Sequence, residues 1–338
     1  MIESRLRSEI SKKRWRRFKN RKTALYSLII LVLFVVLTFV APMVANNQPL
    51  FLKYRGDIYF PVFKTYSAKE FDITDKLLID YRKLKLSPKD VIIWPVIQWN
   101  PFESNSHVES YPSKPTRKNL MGTDDSGRDV FTRLLYGFKY SILYAILVWA
   151  ITFLIGIILG GIMGYMGGKI DFFGQRAVEI LSTVPQFFLL IILISIFNPS
   201  LILLVIISSA FSWIPISYYV RAEFLKNRKR EFVEAAKAMG ASTPSILFKH
   251  ILPNSLSPVI TFSPFAIAGH IVGLATLDYL GFGLEVPTPS WGELLNQARA
   301  NYTIAWWLAL YPSLALFSTL TLLSLIGEGV RDAMDPNL

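Results

Sequence analysis

Long apolar stretches separated by polar, charged segments dominate the hydrophobic pattern of this chain. Six of them approach the roughly 20 residues that are needed to cross a hydrocarbon core. They lie near residues 24–45, 140–164, 179–197, 200–220, 256–277 and 304–327. Prolines, Ser, Thr and His270 interrupt the fifth, and such residues fit a membrane only where they face protein or water. The pattern predicts an all-α membrane protein with six transmembrane helices.

Basic residues lie unevenly around these stretches and predict the orientation of the chain. Residues 1–23 contain Arg5, Arg7, Lys12, Lys13, Arg14, Arg16, Arg17, Lys19, Arg21 and Lys22. The positive-inside rule places this segment, and the loop 221–253, which is also basic, in the cytoplasm. Six spans would return the tail, residues 328–338, to the same side. The alternative for the first stretch is a cleaved signal peptide, although the apolar run is long for one.

A mixed segment, residues 46–137, separates the first span from the remaining helical region, residues 138–327. We expect it to be a periplasmic insertion. Short alternating pieces at residues 57–61 and 91–94 have strand character, although their brevity and nearby prolines weaken that interpretation. The insertion either covers the outer face or contacts a substrate-delivery protein, and the sequence leaves both open.

The cytoplasmic loop between the fourth and fifth spans contains a predicted pair of short helices. One apolar helical face recurs at Phe232, Ala235, Ala236 and Met239. Gly240 is placed to end that helix, and Thr243 followed by Pro244 is expected to cap and begin a second one, which runs to Pro253. The small alanines suit close approach by a partner protein. The alternative is an amphipathic pair lying on the lipid surface.

This loop resembles the loop of ATP-binding-cassette importer permeases that contacts the ATPase. The residues that carry the resemblance are Glu234, Ala235, Ala236, Gly240, His250 and Pro253. The likeness implies a helix pair seated in a cleft of an ATPase subunit. The chain itself contains no phosphate-binding GxxxxGK[ST] loop, so we expect partner subunits to bind and hydrolyse ATP, and no cofactor to be held here.

A second segment resembles the second-subunit permeases of dipeptide, oligopeptide and nickel importers. This outer motif comprises Gly122, Thr123, Asp124, Gly127, Arg128 and Asp129. The run from Gly327 to Pro336 resembles the end of the same proteins, and the long segment 46–137 resembles the branch that imports microcin C and related modified peptides. The resemblance implies a type I importer permease fold in the bacterial inner membrane. It also implies a homologous second permease, two ATPase subunits, a periplasmic solute-binding protein and membrane lipid as partners.

The acidic cluster of the outer motif is expected to have a structural role. Thr123 and Asp124 are suitable N-cap residues, and acids favour the first turn of a helix. We therefore predict that they cap a short outer helix that leads into the second span, and that no catalytic site is present.

Small and polar residues within the spans predict packing and a passage. Gly156, Gly160, Gly164 and Gly168 recur at four-residue intervals, which favours close helix packing, within the chain or across a permease dimer. Pro185 and Pro215 are expected to kink the third and fourth spans. Four polar residues are candidates for lining a translocation path: Gln186, Ser212, Thr261 and His270. His270 either titrates or donates a neutral hydrogen bond between helices.

Composition narrows the remaining function classes. The 338 residues are 52% hydrophobic and include no Cys and three widely spaced His, which excludes disulfides and thiolate metal sites and disfavours a metal centre. The net charge of +12 lies at the ends of apolar stretches, which indicates membrane orientation and not nucleic-acid binding. A secondary transporter usually has paired charges at mid-membrane, and a membrane-anchored scaffold would not need the loop 228–253; both remain as alternatives.

Overall fold

The structure is a computed structural model that describes residues 9–71, 79–197 and 199–335. Arg5, Arg7 and Pro336, which entered the predictions above, lie outside the described residues. The elements below are numbered within the described part of the chain.

Helices form most of the described chain. They are α1 (Glu9–Asn20), α2 (Lys22–Phe39), α3 (Ala41–Val44), α4 (Val130–Met166), α5 (Gly168–Ser182), α6 (Gln186–Ile196), α7 (Leu201–Ser212), α8 (Ile214–Asn227), α9 (Glu231–Ala238), α10 (Thr243–Tyr279), α11 (Trp291–Ala300) and α12 (Trp306–Met334). By length and composition, α2, α4, α10 and α12 could each cross a membrane. The described residues therefore hold four candidate spans, or up to six if the pairs α5–α6 and α7–α8 each count as one.

Both helix pairs are bent where the sequence predicts kinks. The axes differ by 68° between α5 and α6 and by 43° between α7 and α8. Pro185 directly precedes α6 and Pro215 lies in the first turn of α8, so the ring nitrogen of each lacks the hydrogen that a continuous helix would use. The helix of the third predicted span also begins earlier than expected, because α5 starts at Gly168. Charged residues in the first turns of α5 led to the prediction of a loop there.

A small sheet accompanies the helices between α3 and α4. Its strands are β1 (Phe51–Tyr54), β2 (Asp57–Tyr59) and β3 (Val91–Ile93), antiparallel in the order β2-β1-β3. The two strand pieces expected from alternation are present, whereas β1 was not predicted. Arg55 and Gly56 both have positive φ, 53° and 98°, as a two-residue hairpin turn requires.

The chain divides into two compact units. One, here called the core unit, comprises Met1–Val32, Ser141–Glu285 and Leu316–Leu338. The other, the insertion unit, comprises Leu33–Tyr140 and Val286–Ala315. The insertion unit has its own buried clusters, one under the sheet around Leu52 and Phe71 and one between α3 and α4 around Ile97 and Leu135.

In the core unit, α4 and α8 pack through a seam of glycines. A Cβ on Gly160 would lie 2.5 Å from the carbonyl oxygen of Ser217, and one on Gly164 would lie 2.6 Å from that of Arg221. Gly156 is equally close to Ile216. The contact predicted from the glycine spacing is therefore made within the chain. Gly168 does not join it, because it begins α5.

We predict that Gly160→Ala destabilises the core unit. The added methyl group would meet the Ser217 carbonyl at 2.5 Å, and such overpacking costs about 1–3 kcal/mol. The measurement is the melting temperature of the purified protein in detergent. Gly273→Ala in α10 is the matched control, because nothing lies within 4 Å of its Cβ position. Equal melting of the two variants would show that the glycine seam does not set the helix spacing.

Candidate functional site

The helix pair α9–α10 has a rigid glycine turn. Gly240 has φ +78°, and its N–H donates to the Lys237 carbonyl at 2.9 Å while the N–H of Ala241 donates to the Ala236 carbonyl at 3.0 Å. These two bonds and the left-handed glycine make a Schellman motif, which satisfies carbonyls at the end of α9. The helix thus ends at the glycine, as the sequence predicts.

The second helix of the pair differs from the prediction at both ends. Ser242, with extended φ and ψ of −66° and 152°, precedes the first turn, so the N-cap lies one residue before Thr243. The helix also continues through Pro253 to Tyr279. A wider π turn over Ile246–Ile251 ends two residues before Pro253, which lacks the N–H for the regular hydrogen bond to the Lys249 carbonyl. Loop and span are therefore one continuous helix.

The face of α9 that packs against α10 differs from the predicted apolar face. Val233 and Ala236 are 0% and 1% exposed, and they join the cluster that contains Ile246 and Ile251. Val233 was missed because it lies between the residues of the predicted stripe. Ala236 is the one member of that stripe that points inward.

The rest of the stripe points outward and leaves an apolar surface on the helix pair. Met239 is 80% exposed and Phe232 38%, and Ala235 is also exposed. On α10, Phe248 is 66% exposed. We call these four residues the loop surface. Of the other predicted loop residues, Glu234, Gly240 and Pro253 are exposed and His250 is half-buried.

Basic residues anchor the base of this loop to its own unit. Arg228 Nη1 donates to the carbonyls of Gly164 and Tyr165 at 3.3 and 3.2 Å, at the end of α4. Arg221 makes a two-pronged ion pair with Asp171 of α5, one prong being 2.6 Å. The basic residues that predict a cytoplasmic location for this loop therefore also bond it to α4 and α5.

The outer motif folds as a closed turn in the insertion unit. The N–H of Asp124 donates to the Arg128 carbonyl at 2.9 Å, and Asp124 Oδ1 accepts from the N–H groups of Ser126 and Arg128 at 3.0 and 2.8 Å. Gly127 has φ +76°, which closes the turn before a helix can start. The predicted short outer helix is therefore absent from the described residues.

The cap of α4 is Asp129 and not Thr123 or Asp124. Asp129 Oδ1 accepts the Thr132 N–H at 2.8 Å, as an N-cap side chain does. Its other oxygen accepts from Asn119 at 2.9 Å. Burial raises the pKa of Asp129, and these hydrogen bonds oppose the rise.

A buried network of four charges joins this turn to α11. Asp124 Oδ2 accepts from Arg128 Nε at 2.7 Å and lies 3.2 Å from Arg133 Nε, which is not aligned for a hydrogen bond. Glu293 pairs with Arg128 Nη2 at 3.0 Å and with Arg133 Nη2. Burial would lower the pKa of Arg128, but the two carboxylates outweigh it and raise the pKa. Two cations and two anions balance, as buried ions require.

The remaining motif residues lie close to α12. The indole N–H of Trp307 donates to the Thr123 carbonyl at 3.0 Å. A Cβ on Gly122 would lie 2.7 Å from the same indole nitrogen, so a glycine is needed for this approach. Sequence reasoning brought together the six motif residues but missed Glu293 and Trp307, which are more than 160 residues away along the chain.

Three of the four polar path candidates line one cavity of the core unit. Gln186, Ser212 and His270 surround a cavity of about 420 Å³, together with aromatic rings that include Tyr219. Gln186 Nε2 donates to the Phe211 carbonyl at 3.2 Å, where α7 nears its end. The fourth candidate, Thr261, does not line this cavity. Its hydroxyl donates to the Ser257 carbonyl one turn earlier in α10, at 2.9 Å. Within the described residues no group of three or more His, Cys, Asp or Glu is arranged to hold a metal.

Two family models match the chain. Residues 156–338, more than half of it, match the binding-protein-dependent transport system inner membrane component. The chain belongs to this permease family. Residues 11–61 match the N-terminal transmembrane domain of oligopeptide transport permease C.

Relatives of this permease extend the likeness over its whole length. The inner membrane ABC transporter permease protein YejE of Escherichia coli K12 is 38% identical over 98% of both chains. The peptidoglycan transport system permease protein YejE of Agrobacterium fabrum is 34% identical over 97% of this chain and 93% of its own. The oligopeptide transport system permease protein OppC of Haemophilus influenzae is 34% identical over 70% of this chain and 74% of its own. The predicted membership among second-subunit peptide permeases, on the YejE branch, is confirmed.

The buried charge network gives a test within this permease. Asp124→Asn would leave Arg128 and Arg133 facing Glu293 alone, and an uncompensated buried charge costs about 3–5 kcal/mol. We expect a lower melting temperature and faster tryptic cleavage of the insertion unit. Asp125→Asn is the control, since Asp125 is exposed and outside the network. If both variants melt like the parent protein, the network does not hold the unit together.

Proposed function

We propose that this permease is one transmembrane subunit of an ATP-driven importer that moves peptides across the bacterial inner membrane. The observation that carries the proposal is the loop surface, four exposed apolar side chains on the helix pair α9–α10 of a chain from this family. The proposed partners are a homologous second permease, two ATPase subunits and a periplasmic solute-binding protein.

Six spans are the proposed topology, with each bent pair crossing once. Contacts in the core unit support an even number of crossings. Arg21, just after α1, pairs with Glu328 at 2.7 Å and with Asp332 near the end of α12, and Arg17 donates to the Asp335 carbonyl at 2.7 Å. The basic segment and the tail therefore lie on one side of the membrane, which the positive-inside rule makes the cytoplasmic side. Residues 46–137 then face the periplasm.

The proposed coupling of ATP hydrolysis to transport begins where an ATPase subunit contacts the loop surface. Exposed apolar patches of this kind mark interaction sites, and burying Met239 and Phe248 in a cleft of an ATPase subunit would remove them from water. Because Val233 and Ala236 pack tightly on α10, a push on α9 moves the pair as one body. Close-packed interiors transmit such displacement with little loss.

Helix α10 connects that push to the cavity. It runs without interruption from Thr243 to Tyr279, and His270 lies 20 residues beyond His250, about 30 Å along the helix axis. Movement of the loop would thus shift the wall of the cavity directly. The bends at Pro185 and Pro215 give the opposite wall two hinges.

Peptides are the cargo that the cavity suits best. Gln186 and Ser212 offer neutral hydrogen-bonding groups, and Tyr219 and its aromatic neighbours offer apolar surface, a combination that fits amide backbones with varied side chains. The printed names of the relatives include oligopeptide, dipeptide and glutathione permeases, which supports the same class. Nickel or another small solute is the alternative cargo.

The experiment is ATP-dependent uptake by cells that express the chain with its partner subunits. Met239→Glu places a charge on a side chain that is 80% exposed, so we expect normal membrane insertion, loss of co-purifying ATPase subunits and at least a tenfold fall in peptide uptake. Val96→Glu, at an 85% exposed position of the insertion unit, is the control. Unchanged uptake and ATPase recovery in Met239→Glu would refute the coupling role of the loop.

A further inference from the structure

An apolar groove lies between α1, α10 and α12 in the core unit. It has a volume of about 380 Å³, and its walls include Trp15 and Phe18 of α1, Ile260 of α10, and Ala333 and Met334 of α12. Phe18 is 6% exposed and stacks on Trp15 with ring centroids 5.8 Å apart. The walls are thus fixed by packing, and the opening between them is apolar.

A half-buried cation stands at the rim of this groove. Arg14 lines it, and among the described residues its guanidinium donates one hydrogen bond, from Nη2 to the neutral Ser257 hydroxyl at 3.3 Å. A guanidinium has five N–H donors in a fork that matches a phosphate or carboxylate. Two nearby arginines differ, since Arg17 of α1 is bonded to the Asp335 carbonyl and Arg21, just after α1, to Glu328 of α12. Within the described part of the chain, Arg14 therefore keeps donors for a ligand beside the apolar groove.

The groove lies at the level where headgroups and acyl chains meet. Ile260 falls just inside the apolar stretch 256–277, whereas Ala333 and Met334 lie beyond the stretch 304–327. Helix α1 is basic and amphipathic, with Lys13, Arg16 and Lys19 exposed. A helix of this type lies in the membrane interface with its basic face toward anionic lipid.

We propose that this groove binds one anionic phospholipid, with an acyl chain between Trp15 and Ala333 and the phosphate on the Arg14 guanidinium. Charge complementarity selects this occupant, because the rim offers a cation and the described wall residues are apolar or aromatic apart from Ser11. The bound lipid would join α1 to α10, the helix that begins in the loop of the ATPase contact. The site depends on the membrane location of the family and not on the proposed cargo.

Quenching of Trp15 fluorescence by brominated lipids tests the site. The full-length chain, purified with its partner subunits, is titrated with phosphatidylglycerol or phosphatidylcholine carrying the same brominated acyl chains, and the signal of Trp15→Phe is subtracted. The titration is done at about 0.5 M salt, where attraction between exposed charges is screened. We expect phosphatidylglycerol to quench at about fivefold lower mole fraction than phosphatidylcholine, the factor that one cation near an anionic lipid contributes.

Three variants locate the effect. Arg14→Gln should move the phosphatidylglycerol curve onto the phosphatidylcholine curve, and Lys13→Gln, which loses the same charge from the exposed side of α1, should leave it in place. Ala333→Leu, which fills the groove, should weaken quenching by both lipids.

Three results would overturn the proposal. Equal quenching by the two lipids in the parent protein would show that the groove does not select an anionic headgroup. An equal shift in Lys13→Gln and Arg14→Gln would show a general charge effect of α1. A severalfold increase in quenching after deletion of residues 1–8 would show that this segment of the chain, and not a lipid, fills the groove.

Discussion

Hydrocarbon offers no hydrogen-bond partner to an exposed backbone amide, and this constraint orders the rest of the molecule. It makes the apolar stretches helical, and at one break in the described residues a side chain takes over the lost bond. Pro215 interrupts the α7–α8 pair, and there the Gln186 amide donates to the Phe211 carbonyl while the Trp213 indole donates to the Ala210 carbonyl at 2.8 Å. The same hydrogen bond places Gln186 on the wall of the cavity, so the bend and this polar group on the wall have one cause.

Continuity of α10 gives the fold its proposed function. A loop that merely lay on the lipid surface would need no fixed relation to the spans, whereas here the buried face of α9 is clamped on α10 and α10 continues past the cavity. In the insertion unit, buried charges hold three elements in one arrangement: the closed turn of the outer motif, the start of α4, and α11. Each unit thus has a rigid framework of its own.

Features that depend on residues close together in the chain could be predicted from the sequence. Gly240 ends α9 because only its backbone adopts the left-handed turn readily, and the glycine spacing of α4 correctly indicated a close helix contact. Partners that are remote in sequence could not be predicted. The sequence shows acidic residues between 278 and 303, but it does not show that Glu293 meets Arg133 in the folded chain. Thr123 and Asp124 looked like caps because a left-handed glycine turn at Gly127 does not show in the pattern of polar residues. Pro253 looked like a helix end because the π turn that accommodates it has no sequence signature.

The proposed mechanism requires that the loop surface contacts an ATPase subunit, and the absence of Cys from the sequence allows a direct measurement. Met239→Cys introduces the single thiol of the chain, to which a short photoreactive cross-linker is attached in membranes that contain the partner subunits. We predict one major adduct, with an ATP-hydrolysing subunit, whose yield changes when ATP is added, and no such adduct from Val96→Cys. An adduct with lipid alone, or equal ATPase adducts from both positions, would contradict it.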